Sequence, residues 1–138
     1  MKLVASLVLA AVASTLALSA HAQFAKPEDA IKYRKSALTV MAAHFGRVAA
    51  MANGRMPFDA GAAASNAATA EMMSKLPFAG FIDGTDKGDT KAKSEIWSER
   101  AKFNAAAEKM QGEMTKLAVV AKGGNLDEIG RASCRERV

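Results

Sequence analysis

Between Pro27 and Ala52 apolar side chains recur at steps of three and four residues, at Ile31, Leu38, Met41, Phe45, Val48 and Ala52. That period puts them on one stripe of a helix, and such a stripe is stable only against another element. The pattern returns twice. Ala64, Ala68, Met72 and Leu76 share a face of an alanine-rich stretch, and Ile96, Phe103, Met110 and Leu117 step by sevens with Trp97, Ala107, Met114 and Ala121 beside them. No segment alternates with period two for long enough to make a strand. The spacing predicts an all-α chain of antiparallel helices over roughly 27–52, 60–75 and 95–122.

The punctuation agrees with those spans. Pro27 opens the first helix where its missing N–H costs nothing, and Glu28 and Asp29 sit in the turn where the helix dipole favours acids. Asn53-Gly54 closes it. Asp59 is a cap for the second helix, which Leu76-Pro77 ends, and Ser94 is the expected cap of the third, which Gly123-Gly124 stops. From Phe78 to Lys91 runs a long loop with three glycines and two phenylalanines. Long loops in compact domains are often functional, and two phenylalanines there need something apolar to cover.

One position breaks the first stripe. In the series 31, 34, 38, 41, 45, 48, 52, Arg34 stands where an apolar residue belongs. Burying a guanidinium unpaired costs on the order of several kcal/mol, so the residue needs a reason. Either it snorkels its head to solvent near the helix start, or its planar fork meets an anionic group held inside the bundle.

With one cysteine and two histidines, the sequence makes neither an internal disulfide nor a zinc site of the usual His and Cys kind. The formal charge is +5, but Lys and Arg are interspersed with Asp and Glu, which describes a solvated mixed surface and not a nucleic-acid footprint. At the start of the chain, Lys2, the apolar run from Leu3 to Ser19 and Ala20-His21-Ala22 have the order of a secretory signal peptide cleaved after Ala22. The run is only slightly shorter than the roughly 20 residues that span a bilayer, so the alternative is an uncleaved anchor, but the Ala-x-Ala ending favours removal of residues 1–22 and a periplasmic protein off the membrane.

Several segments together resemble the cytochrome c prime family of exported c-type cytochromes. They are Gln23-Phe24-Ala25-Lys26-Pro27-Glu28-Asp29-Ala30, Tyr33-Arg34, Met41-Ala42-Ala43-His44-Phe45-Gly46-Arg47, Leu76-Pro77-Phe78, Thr90-Lys91-Ala92 and Glu95-Ile96-Trp97. The resemblance spans about Gln23 to Asp127 and implies an antiparallel four-helix bundle holding haem c. It implies that Arg34 reaches a haem propionate, that Leu38 crowds the open face of the iron, and that Thr90, Lys91 and Glu95 lie near the propionates. Phe78, Phe81, Trp97 and Phe103 become pocket walls, and Lys35 and Met41 join the haem contacts. The implied function is electron transfer to a redox partner or binding of nitric oxide or carbon monoxide, with a homodimer as the complete form. No acid and base pair has catalytic spacing, so an enzyme is not expected.

The chain departs from that family at its chemistry. A c-type haem is attached by Cys-x-x-Cys-His, whose histidine ligates the iron. Here the one cysteine, Cys134, is followed by Arg135, Glu136 and Arg137, and His44 matches a mid-helix position that is not the axial ligand. The metal site is thus expected to lack its axial histidine and both attachment cysteines. Asn125-Leu126-Asp127-Glu128 looks like a helix start, but beyond it the apolar period fails. Residues 128–138 read as a non-native tail resembling a translated sequencing adapter, poorly packed, joined to a domain of residues 23–127 that is cut before its fourth helix; the alternative is a natural basic tail, a composition that exposed termini tolerate. A competing reading is a haem-free periplasmic bundle that binds partners through Met41, Met72, Met110 and Met114, a soft and adaptable set.

Overall fold

Helix α1 spans Pro27–Ala52, with Pro27 in its first turn beside Glu28 and Asp29, and ends where Asn53 leaves the helix and Gly54 turns at φ 69°. Helix α2 spans Ala60–Ser74 and is capped as expected, the Asp59 carboxylate accepting from the Ala62 N–H at 2.7 Å. The computed structural model describes residues 23–135, so the leader assigned to residues 1–22 and the last residues of the tail lie outside it. A 3-10 turn over Pro77–Gly80 follows, then the loop, a single turn α3 at Glu95–Ser98, helix α4 over Arg100–Lys122 and helix α5 over Leu126–Arg135. Among the described residues there is no strand, and no helix is long and apolar enough to cross a membrane.

The packing follows the predicted stripes only in part: on α1 it buries Ile31, Arg34 and Val48 together with Ala30, Ala37 and Met51 beside them, and leaves Leu38 exposed. Helix α2 lies between α1 and α4, and α5 rests on both α1 and α4. The aliphatic core fills one end of the assembly: Val48 and Met51 from α1, Ala63, Ala67 and Ala70 from α2, Met114, Leu117, Ala118 and Ala121 from α4, and Ile129 from α5. Polar and aromatic groups fill the other end, where α1 starts and the loop crosses it.

Three expectations need correction. The inward face of α2 is Ala63, Ala67, Ala70 and Ser74, one to two positions before the predicted stripe, and Met72 is 62% exposed. In an alanine-rich helix neighbouring rows carry nearly the same side chain, so the pattern does not choose between them. The predicted third helix is broken at Glu99, with φ −115° and ψ 45°, and Ser94 does not cap it; the Ser94 hydroxyl donates to the Glu95 carboxylate at 3.3 Å. Ser94 is itself helical in φ and ψ, which points its side chain away from the first free N–H groups. The stretch after Asp127, expected to pack poorly, is helical and buries Ile129 completely and Ser133 to 3%. The Asn125 side chain starts it by accepting from Asp127 N–H at 3.0 Å and Glu128 N–H at 3.2 Å.

Candidate functional site

Arg34 is buried to 2% exposure and does not snorkel. The 80–90 loop folds over it and supplies its partners. Nη1 donates to the Gly80 carbonyl at 3.0 Å and the Thr85 hydroxyl at 2.8 Å; Nη2 donates to the Thr85 carbonyl and the Thr90 hydroxyl, both at 2.7 Å. The guanidinium also lies 4.4 Å from the Phe81 ring centroid and 5.6 Å from that of Trp97. All of these partners are uncharged. Arg34 takes part in none of the ion pairs among the described residues. Desolvation lowers its pKa from the ordinary arginine value, yet the charge-assisted hydrogen bonds and the two rings keep a cation there.

The loop approaches α1 so closely that only glycine fits at its nearest point. A Cβ on Gly80 would stand 2.6 Å from the Ala30 carbonyl oxygen and 2.9 Å from the Arg34 Cβ. Three successive carbonyls are then fixed by side chains from three elements. Arg34 takes that of Gly80, Arg100 Nη1 donates to Phe81 at 2.9 Å, and Trp97 Nε1 donates to Ile82 at 3.0 Å. Held this way, Phe81 contacts Phe103 (4.9 Å between centroids), Phe78 (6.2 Å) and Trp97 (6.2 Å), while Phe78 meets Phe103 at 5.6 Å. All four rings are only half-buried.

Six of the expected contact residues therefore converge: Arg34, Phe78, Phe81, Thr90, Trp97 and Phe103. On the α1 stripe Leu38 stays 36% exposed and Met41 half-buried, so the helix is left partly uncovered there. Lys35 points elsewhere. It meets the loop from outside through the Asp89 carboxylate at 2.6 Å and the Asp89 carbonyl at 3.2 Å, and this pairing holds the Asp89 carboxyl below the usual carboxylate value. Lys91 and Glu95 are exposed and do not join the Arg34 network; Glu95 lines a groove of about 220 Å³ with Ile96, Glu99, Lys102, Phe103 and Ala106. Grooves of about 660 and 480 Å³ flank α1 on either side of Lys32, Ser36 and Val40, and no ring of the aromatic wall lines them.

Two residues of this site have no counterpart in the sequence reading. Thr85 is one threonine among several loop polar residues, and nothing in its neighbours marks it as fully buried. Arg100 carried a weak signal, three residues after Trp97 and so on the same side of a helical turn.

The wall and the buried cation suit a flat apolar ligand with an anionic edge, such as a haem. An iron ligand is another matter. His44 Nδ1 is 2.8 Å from the Asn66 side-chain oxygen between α1 and α2, and the described residues hold no group of three or more His, Cys, Asp or Glu that could bind a metal. The methionine stripe is dispersed as well: Met114 is buried in the core, Met41 and Met110 are half-buried, and Met72 faces solvent.

Comparison with known proteins gives the same answer along nearly the whole described chain. Residues 29–135 match the family profile described as Cytochrome C'. The chain is 52% identical over 111 residues to the cytochrome c' of Rubrivivax gelatinosus, covering 80% of this chain and 86% of that protein. Among solved structures, cytochrome c prime from Shewanella frigidimarina superposes with a TM-score of 0.80 at 38% identity, over 83% of this chain and 89% of its own. The nitrosyl complex of a single-residue variant of cytochrome c prime from Alcaligenes xylosoxidans does so at 0.77 and 43% identity, over 83% and 89%.

Proposed function

The chain belongs to the cytochrome c' family, whose proteins bind haem c, and from that premise we propose that it is the scaffold of a periplasmic haem protein for electron transfer and binding of small gases. The observation that carries the reading is the buried Arg34 cation with only neutral partners beside a half-buried wall of four aromatic rings. Phe78, Phe81, Trp97 and Phe103 would hold the ring system, and Arg34, with the one N–H donor that the loop does not take, would meet one of its carboxylates. Leu38 and Met41 would line the side reached from α1. When bound, haem supplies an iron that takes up an electron or a diatomic gas. The nitrosyl complex of the Alcaligenes xylosoxidans relative supports nitric oxide as such a gas.

Two thioethers need two cysteines and the iron needs a histidine, so we place the attachment motif outside these 138 residues. Export rests on the apolar run Leu3 to Ser19 and on Ala20-His21-Ala22. The protein is a carrier and not an enzyme in this reading, and two copies pair in the complete form; exposed Val40 and Leu76, which line one groove with Phe24 and Met73, support that pairing. The test is a visible absorption spectrum of protein expressed from the uninterrupted gene with haem maturation machinery. An intense Soret band that shifts on exposure to nitric oxide is the expected result. A colourless, folded product would refute the haem reading.

A further inference from the structure

Four of the five N–H donors of Arg34 are taken by the loop, and two of those four end on one residue, Thr85, through its hydroxyl and its carbonyl. Thr85 is fully buried. Its hydroxyl both accepts and donates: it takes the Nη1 proton at 2.8 Å and gives its own to the Ile82 carbonyl at 2.7 Å. The same Ile82 carbonyl accepts from Trp97 Nε1 at 3.0 Å. One hydroxyl thus links the buried cation to the indole of the aromatic wall.

We propose that Thr85 is the positioning residue of Arg34, fixing the plane of its guanidinium from the buried side and with it the edge that the cation offers to an anionic group. The inference takes from the proposed function only the identity of that anion, a haem carboxylate. A threonine suits this task because the job needs a lone pair, a proton and a methyl group that fills a dry site. Valine keeps the shape and loses both polar functions; serine keeps both and loses the methyl. Without the hydroxyl, Nη1 retains the Gly80 carbonyl alone at 3.0 Å, and the fork gains freedom to rotate about Nε–Cζ. Trp97, the single tryptophan of the sequence, reports the change from the far end of the network.

The experiment uses the full chain, ¹⁵N-labelled, as unsubstituted protein and as Thr85→Val and Thr85→Ser. A guanidinium held by its four bonds shows separate Arg34 Nη–H resonances at low temperature. The expected result is their loss in Thr85→Val, together with easier acrylamide quenching of Trp97, and the return of both signatures in Thr85→Ser. Resolved resonances in Thr85→Val, or none in the unsubstituted chain, would overturn the proposal. Should Thr85→Val lose its helical circular dichroism, Thr85→Ser decides alone: resonances kept sustain the role, and resonances lost from a folded serine variant end it. Neither readout involves haem, so a failure here leaves the Soret test of the proposed function untouched, and the reverse holds too.

Discussion

At the scale of single residues, the contrast between Gly80 and Asp89 separates contacts that hold the site from contacts that only decorate it. Gly80→Ala places a methyl 2.6 Å from the Ala30 carbonyl oxygen, a backbone atom that cannot rotate away. We expect it to lower stability by about 1–3 kcal/mol, as overpacking does, and to loosen the loop over Arg34, seen as a lower urea midpoint and easier quenching of Trp97. Asp89 has a depressed pKa because of Lys35, so any contribution is present above the unfolded value of about 3.9 and is lost as pH falls through the folded one. Its carboxylate is open to water and screened. Asp89→Asn should leave the thermal midpoint at pH 7 indistinguishable from that of the unsubstituted chain. Arg34 was legible in the sequence as an anomaly because a charge on an apolar seam has few explanations. Its partners were not, because a loop carries no period and nothing local distinguishes Thr85 from the exposed and half-buried residues around it.

At the scale of elements, boundaries were easier to read than faces. Pro27 and Gly54 act through their backbone and Asp59 through a carboxylate that accepts from it, all at fixed offsets, and α1 and α2 begin and end as their chemistry requires. Asp59→Ala should cost about 1 kcal/mol, the usual loss of a side-chain cap, measured as a lower thermal midpoint. The face of α2 could not be read because its alanines serve equally well on several rows; the close approach of α1 and α4 selects one. Helix α5 has a different difficulty. Its start was legible in Asn125, Asp127 and Glu128, but a helix of 10 residues with a single large buried apolar side chain leaves no repeat to detect. Ile129 joins Val48, Met51 and Leu117 in the core, so Ile129→Ala should destabilise the chain by about 2–4 kcal/mol. Leu126→Ala, at a position 36% exposed, should have a clearly smaller effect in the same denaturation experiment.

At the scale of the whole molecule, the lengths of the helices determine what remains uncovered. Helix α4 has 23 residues and α5 has 10, which at 1.5 Å per residue is about 34 Å against about 15 Å. Helix α5 packs on α1 and α4 and closes the aliphatic end of the assembly. Away from the described part of α5, Phe103 and Met110 are half-buried on α4, and Leu38 and Met41 are partly exposed on α1. Apolar surface left in water forgoes roughly 25 cal/mol per Å², so a few such side chains amount to a sizeable part of a stability margin of about 5–15 kcal/mol. Three proteins compared in urea should therefore fall in a fixed order. Residues 23–127 alone, which lack Ile129, should be least stable; the chain with α5 should be intermediate; and residues 23–127 continued by a longer helix in place of α5, carrying Cys-x-x-Cys-His, should be most stable. Only the last supplies the two thiols and the histidine that haem c requires, so only it should emerge coloured from cells with haem maturation machinery. A haem-loaded, cooperatively unfolding product from residues 23–127 would show that α1, α2 and α4 need no closure and that the partly exposed stripe has another purpose.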